Sequence, residues 1–500
     1  MRRQLAVLVA AFVITLPLIT PRIYASDEIQ YFSYLRSLWF DHDVSFENEY
    51  QHFWDAGIAR GQGFHETHLE RRTDTGQRIS FATIGAAILW SPFYAVADAL
   101  VATGLAGGGV RDGYGVPYVR AVAFGSAIYG WLAVVLGWAT AHRLGLGRGA
   151  LPGALAVWFG TPLIFYMYIA PPMAHACEAF AVAVFLTAWL HVRDRWTVGG
   201  GVLLGVLAAL MVMVREQALF LLITPALDWV LAWWRAPQDT VGPPRRRLVA
   251  HAVVGSAAFL VGYAPQLWAY VVLNGYPRPS PLVARKLNWL SPHAFEVLAS
   301  PEHGLLFWTP LALLALIGLA AGITGSFGWA ARPTLAPRRD GASTAWIAMG
   351  LLLAVLSQVY IAGSVESWTV AGAFGQRRFV GLSAVLLVGL AALWPAGDRR
   401  GPPPTRARAI VAALFVLGAW WNLGLMAQFG GGLMDRQRLT LADNAYHTFV
   451  TVPRRLPELV YRYVFARQSF YAPPPATPSG TPSGTPSGTP SGTPTAPPPS

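Results

Sequence analysis

The sequence predicts an all-α polytopic membrane protein, a bundle of about 11–13 transmembrane helices with interfacial helices in the first outer loop. Three observations carry that prediction. The 500-residue chain is 54% hydrophobic and 12% charged, too little charge to cover a water-soluble domain of that length. Apolar runs long enough to cross a bilayer recur along it, several rich in the glycine and alanine of packed membrane helices. The positive charge, a formal +12 with Lys286 as the single lysine, gathers as arginine in short connections between those runs. That placement follows the positive-inside rule rather than a basic stripe, so no nucleic-acid partner is expected. The single cysteine, Cys177, excludes an intramolecular disulfide framework and a cysteine-based metal cluster.

The first run, residues 4–21, follows Met1-Arg2-Arg3 and reads as a signal peptide cut near Ala25 or as an uncleaved span. Ile23 is too bulky for a cleavage site, and Pro21 and Arg22 interrupt the approach to it, which favours the span. Further runs occupy 80–103, 117–141, 149–169, 174–192, 198–214, 217–234, 248–273, 304–324, 343–363, 379–395 and 409–429. If the basic connections at 142–148, 193–195, 235–247, 332–339 and 399–408 are cytoplasmic, the loops 22–79, 170–173, 215–217, 274–303 and 364–378 face the other side. An odd number of crossings must then separate 22–79 from 142–148, yet two runs lie between them. One of 80–103 and 117–141 is therefore expected to be re-entrant, interfacial or split. By this reading, residues 1–429 form the transmembrane domain, with 22–79 as its first outer loop, and 430–472 form a C-terminal outer segment. The tail, 473–500, repeats Thr-Pro-Ser-Gly from Thr477 to Gly492 and is expected to be disordered, since it has almost nothing apolar to bury.

The first outer loop holds the densest polar cluster. Ser26 is a good N-cap, with Asp27 and Glu28 in the first turn and an aromatic-rich face beyond them built on Phe32, Leu35 and Trp39. Such a helix lies along the membrane interface, and its N-terminus favours an ionised Asp27 able to accept a proton. The same residues also make an ordinary helix start. Farther on, His65 and His68 stand three apart without a third ligand, which fits a solvated polar loop better than a metal site.

On the same expected face, His175 and Glu178 follow Pro171-Pro172 and can meet at the top of one helix, as a pocket pair or as a wet helix end. Arg215 and Glu216 interrupt two apolar runs. They either satisfy each other or leave the arginine to bind a phosphate, whose oxygens suit a guanidinium. His303, Trp368 and the pair Arg377-Arg378 sit in glycine- and aromatic-rich loops just before spans. The arginine pair lies on the wrong side for the positive-inside rule, as an interfacial anchor or as the seat of an anionic lipid.

Together these residues resemble the membrane glycosyltransferases of the GT-C superfamily, nearest the branch of the protein O-mannosyltransferases and aminoarabinose transferases (glycosyltransferase family 39-like). The resemblance rests on Asp27-Glu28, the run from Gly85 to Tyr94, Pro172 to His175, Arg215-Glu216, His303 to Pro310 and Phe374 to Phe379, in order over residues 1 to about 380. It implies a GT-C-like bundle and an inverting transfer of a sugar from a polyprenyl-phosphate donor to a hydroxyl on a lipid, glycan or protein acceptor. Carried onto this chain, Asp27 is the catalytic base, with Glu28 sharing or replacing that role. Arg215, Arg377 and Arg378 bind the donor phosphate. His175, Glu178, Glu216, His303 and Trp368 line the pocket. No cofactor is required, and a divalent cation is used by some members of the superfamily and not by others. The arginine-, glycine- and alanine-heavy composition fits a bacterium with a GC-rich genome. The expected place is then the cytoplasmic (inner) membrane among its lipids, multi-pass, with the site facing the periplasm or exterior. The alternative is a transporter or a flippase of lipid-linked sugars, although no internal repeat marks the membrane part.

Overall fold

The structure, a computed structural model, describes residues 1–60, 63–107, 109–236, 244–326, 344–395 and 405–467. The chain divides into two compact units, Met1–Arg455 and Leu456–Ser500. The repeat tail, with its expected disorder, lies outside the described residues, as do the basic stretches 332–339 and 399–404.

Lipid offers no water to pair with backbone N–H and C=O groups, so a spanning segment must satisfy them within itself. Accordingly, the described residues form helices and no strand, apart from the isolated bridges Arg72–Arg78 and Leu287–Val365. In chain order these are α1 (Arg2–Thr15), α2 (Ser26–Arg36), α3 (Glu47–Asp55), α4 (Gly85–Ala102), α5 (Val116–Arg143), α6 (Gly147–Gly160) and α7 (Leu163–Tyr168). Then come α8 (His175–Val192), α9 (Val198–Val214), α10 (Ile223–Arg235), α11 (Arg245–Asn274), α12 (Pro281–Arg285), α13 (Ala294–Ala299) and α14 (Leu305–Trp308). The last are α15 (Leu311–Thr324), α16 (Thr344–Ser364), α17 (Ser383–Leu393), α18 (Thr405–Gly431), α19 (Leu441–Tyr446) and α20 (Val452–Phe465).

Among the described residues, seven helices are long and apolar enough to cross a membrane: α4, α5, α8, Glu216–Arg235, α11, α16 and α18. Two shorter apolar helices, α9 and α15, accompany them. The protein is thus an all-α, multi-pass membrane protein. Several other expected runs are present as shorter or broken helices. Residues 4–21 become α1 and a 3-10 turn at Leu16–Leu18, and the run at 149–169 is split into α6 and α7 at Thr161-Pro162.

Contacts sort the connections into two ends. At one end, Arg143 pairs with Asp194 and Arg193 with Asp228, each at 2.6 Å, and His142 Nε2 lies 2.8 Å from Gln4 Oε1. At the other, Thr20 N donates to the Tyr168 carbonyl, Asn288 N to that of Ser364, and Arg377 meets Asp27. The basic connections that the structure describes at 142–148 and 193–195 thus share an end, opposite the loops expected to lie outside.

This sorting also bears on the parity question. Residues on both sides of α4 hydrogen-bond the first loop. Phe81 N donates to Gln30 Oε1 (2.7 Å) before the helix, and the Asp112 carbonyl accepts from Arg36 Nε (3.1 Å) after it. Trp39 Nε1 also donates to Asp98 on α4 (3.2 Å). The segments before and after α4 are therefore both held by the first loop. Helix α5 is longer, its 28 residues reaching about 42 Å at 1.5 Å per residue.

Where helices press together, small residues let the backbones approach, since lipid supplies no hydrophobic drive for helix association. Helices α9 and α11 do this through Gly201, Gly205, Gly255 and Gly262; a Cβ on Gly205 would lie 2.2 Å from the Gly255 carbonyl oxygen. That seam matters to function because α9 ends at Arg215. Gly205→Val should force the helices apart and cost about 1–3 kcal/mol or more, read as a lower thermal midpoint in detergent. Gly199→Val, which meets nothing within 4 Å, should leave the midpoint almost unchanged.

Candidate functional site

Helix α2 begins one residue away from the sequence expectation. Ala25, in extended conformation, is the N-cap, and Ser26 is the first helical residue. Glu28 turns back over the helix start, its Oε2 accepting from Tyr24 N (2.7 Å) and Ala25 N (3.2 Å). This satisfies donors that a helix start leaves open. Burial pushes the Glu28 carboxyl up to about 8, against the pull of those two backbone donors. Glu28 is wholly buried and faces inward. Asp27, next to it, faces out.

The Asp27 carboxylate receives Arg377 Nη1 at 2.6 Å, an ion pair between residues 350 positions apart. The two side chains keep 39% and 18% of their surface exposed, so solvent reaches the pair. Enclosure by protein raises the Asp27 carboxyl, but Arg377 outweighs it, with Arg215 adding to the pull. The group is held below the ordinary carboxylate range and stays ionised at neutral pH.

A second carboxylate, Glu178, forms the buried hub beside it. His175 Nδ1 and Arg215 Nε lie 3.3 and 3.2 Å from its Oε2, and Gln217 Nε2 donates to its Oε1 at 3.1 Å. The same Gln217 amide donates to the Arg378 carbonyl (2.9 Å), tying the hub to the arginine pair. Two backbone features allow this packing. Ala174 adopts a left-handed conformation (φ 62°) that starts α8 with His175 pointing into the cluster. Gly381 has no side chain to obstruct Glu178, since a Cβ there would lie 2.7 Å from Oε1.

The expected alternative of an Arg215–Glu216 pair is not what forms. Arg215 is extended (φ −153°, ψ 120°), so neighbouring side chains diverge. Arg215 goes to Glu178, while Glu216 Oε1 accepts from Tyr263 (3.1 Å) and Tyr270 (2.6 Å) on α11. Arg378 donates to the Ser367 carbonyl (3.0 Å) and hydroxyl (3.2 Å). Burial, with Arg377 and Arg215 alongside, pushes the Arg378 guanidinium down to about 9. It remains a cation at neutral pH, crowded by like charge. His175 Nε2 and Arg378 Nε are buried without hydrogen-bond partners, atoms that water or a ligand would satisfy.

His303 and Trp368 act from behind the cluster. His303 is fully buried, with a left-handed backbone (φ 67°), and stacks on Trp308 at 4.6 Å. Its Nε2 lies 2.8 Å from the Ala373 carbonyl, so Nε2 carries the proton. Gln376 Nε2 donates to the carbonyls of His303 and Trp368, both at 3.1 Å, and the Trp368 ring stacks on His293. These contacts fix the loop that delivers Arg377. His65 and His68 do not converge: His68 is buried with Nδ1 2.9 Å from the Ile79 carbonyl, and His65 is half-buried beside Glu70. Among the described residues, no three His, Cys, Asp or Glu side chains gather as a metal-holding group.

The structure thus brings Asp27, Glu178, His175, Arg215, Arg377 and Arg378 into one cluster, and sets Glu28, Glu216, His303 and Trp368 around it as supports. Sequence reading gave no role to Gln217, Gln376, Gly381 or Tyr31, whose buried ring lies in the field of Arg215 and Asp27. The signal available for the glutamines was polarity inside otherwise apolar and aromatic stretches. Comparison with protein-family models, curated proteins and solved structures returns no match. The class defined by fold and site is a multi-pass helical membrane protein with an arginine-rich polar cluster at one end.

Burial, and next to it Arg377, lowers His303 to about 4, against the Ala373 carbonyl. The folded-state value lies below the ordinary 6.5, so its contribution to stability is complete above that pH and drains away as pH falls toward 4. Thermal midpoints should fall over that window. His303→Ala should cost about 1–3 kcal/mol and expose Arg377 and Arg378 to limited trypsin cleavage. His303→Gln, which keeps a donor for Ala373, should retain more protection and flatten the pH dependence.

Proposed function

We propose that the protein is an inverting membrane glycosyltransferase of GT-C-like architecture that moves a sugar from a polyprenyl-phosphate donor to a hydroxyl acceptor on the outer face. The observation that carries this reading is the polar cluster itself, where one ionised, part-exposed carboxylate faces guanidinium groups drawn from two distant segments. Arg215, Arg377 and Arg378 meet two carboxylates, Asp27 and Glu178. Unbalanced cationic character at the edge of a membrane protein suits a phosphate on a lipid. The cluster lies at the end opposite the described basic connections, which are cytoplasmic under the positive-inside rule. In a bacterial inner membrane that arrangement supports a site facing the periplasm or exterior.

The chemistry follows from the groups present. The Asp27–Arg377 pair is part-exposed and rests on one contact, so an arriving phosphate can compete for Arg377. Arg377 and Arg215 then hold the phosphate oxygens. As the anomeric carbon–oxygen bond lengthens, its electron pair passes to the leaving phosphate, where the guanidinium groups stabilise the growing charge. The acceptor oxygen bonds to the anomeric carbon from the opposite face, inverting it, and its proton passes to Asp27. No step requires a cofactor. Glu178 and His175 fix the position of Arg215.

The test is transfer from radiolabelled polyprenyl-phosphate sugars by purified protein to a membrane-extract acceptor, with variants checked for equal folding. Asp27→Asn should lose about 10²–10⁴-fold in rate, while Glu28→Gln, which still accepts the two backbone donors, should keep most activity. Loss confined to Glu28→Gln would move the base by one residue. Absence of transfer by folded wild type from every donor, with substrate crossing liposomes instead, would establish a transporter or flippase. Because Arg377 holds Asp27 ionised, Arg377→Gln should raise its pKa. The acid limb of the pH–rate profile should then begin at higher pH, on top of a drop in rate of about 10²–10³-fold.

A further inference from the structure

The sequence of helix α20 is amphipathic in a particular way. Leu456, Val460 and Val464 recur every four residues and lie on one face, 42%, 52% and 56% exposed. Pro453, Pro457, Tyr461 and Phe465 widen that exposed face, the last two at its polar border. Val452 and Leu459, on a neighbouring strip, are buried. The opposite side carries Arg454, Arg455, Glu458 and Arg462, with Arg467 just beyond the helix. A helix standing free in water would not keep seven exposed apolar side chains on one face. One that crosses a membrane would not carry this many arginines in 14 residues.

We propose that α20 lies in the plane of the membrane, with its Leu456–Val460–Val464 face among the acyl chains and its arginines on anionic phospholipid headgroups. Four arginines against one glutamate, Glu458, give the strip a net positive charge. The apolar face is flanked by tyrosine, the side chain that favours the headgroup level. Charge and apolar area together select an anionic lipid surface over a protein partner or a neutral bilayer. This placement does not depend on the glycosyltransferase reading.

The experiment uses the full-length protein in vesicles. Cys177 is fully buried, so single cysteines at Val460→Cys, Val464→Cys and Glu458→Cys can each carry an environment-sensitive fluorophore; Leu456→Cys substitutes for either valine if that variant fails to fold. In phosphatidylglycerol vesicles, labels at 460 and 464 should shift to the blue and be quenched by shallow spin-labelled lipid. They should lose iodide quenching at least about twofold relative to the label at 458. Arg454→Gln combined with Arg455→Gln, or a change to phosphatidylcholine, should weaken the lipid quenching, and so should added salt. Equal iodide quenching at all three positions would overturn the proposal. So would shielding at 460 and 464 from both iodide and lipid quencher, which would mean that protein covers the face. Lipid quenching identical in both vesicle types would overturn the anionic-lipid assignment.

Discussion

Stripping a guanidinium of water costs several kcal/mol unless fixed acceptors replace that water, and this protein gathers three of them at one end of a membrane bundle. Much of the local architecture answers that demand. Glu178, 2% exposed, is the acceptor around which the rest is arranged. It receives Arg215 from the end of α9 and Gln217 from the turn that follows, with His175 three residues before it on its own helix. Gly381 makes room for it, and Ala174 bends the chain to start its helix. The glycine seam between α9 and α11 sets where Arg215 emerges. The tyrosines of α11 keep Glu216 from competing for the same arginine.

Asp27 stands in contrast to Glu178. One carboxylate is buried and held on several sides. The other is held by a single guanidinium where solvent reaches it. The first arrangement gives rigidity, and the second leaves the pair open to a competing ligand. His303 and Gln376 supply the remaining stiffness from behind, by clasping the backbone of the loop that presents Arg377. Fixed charges on a fixed loop thus surround one part-exposed pair.

Much of the fold was legible because hydropathy reads length and apolarity directly. The all-α, multi-pass character and the grouping of 142–148 and 193–195 away from the polar loops follow from composition alone. What hydropathy cannot read is what holds the two ends of a helix. Residues 85–102 have a spanning composition, yet Gln30 and Arg36 of the first loop hold the chain on either side of them. In the site, residue types were legible and partnerships were not. Adjacency suggested that Arg215 and Glu216 pair, and a single extended residue sent them apart. Asp27 and Glu28 look equivalent in sequence. Only the direction in which each side chain leaves the first turn makes one a helix cap and the other the exposed anion. His303 read as a pocket residue because its loop is polar and glycine-rich, whereas its ring is a buried strut.

The Asp27–Arg377 pair also sets an order of assembly during biosynthesis. Asp27 emerges from the ribosome 350 residues before its partner. Over that interval Asp27 has no Arg377 to pair with. The pair forms only once the segment leading into α17 has been made. A chain that stops short of residue 377 can insert most of its helices and still have no completed cluster. Completion of the cluster is therefore dated by the segment that supplies the guanidinium, not by the one that supplies the carboxylate.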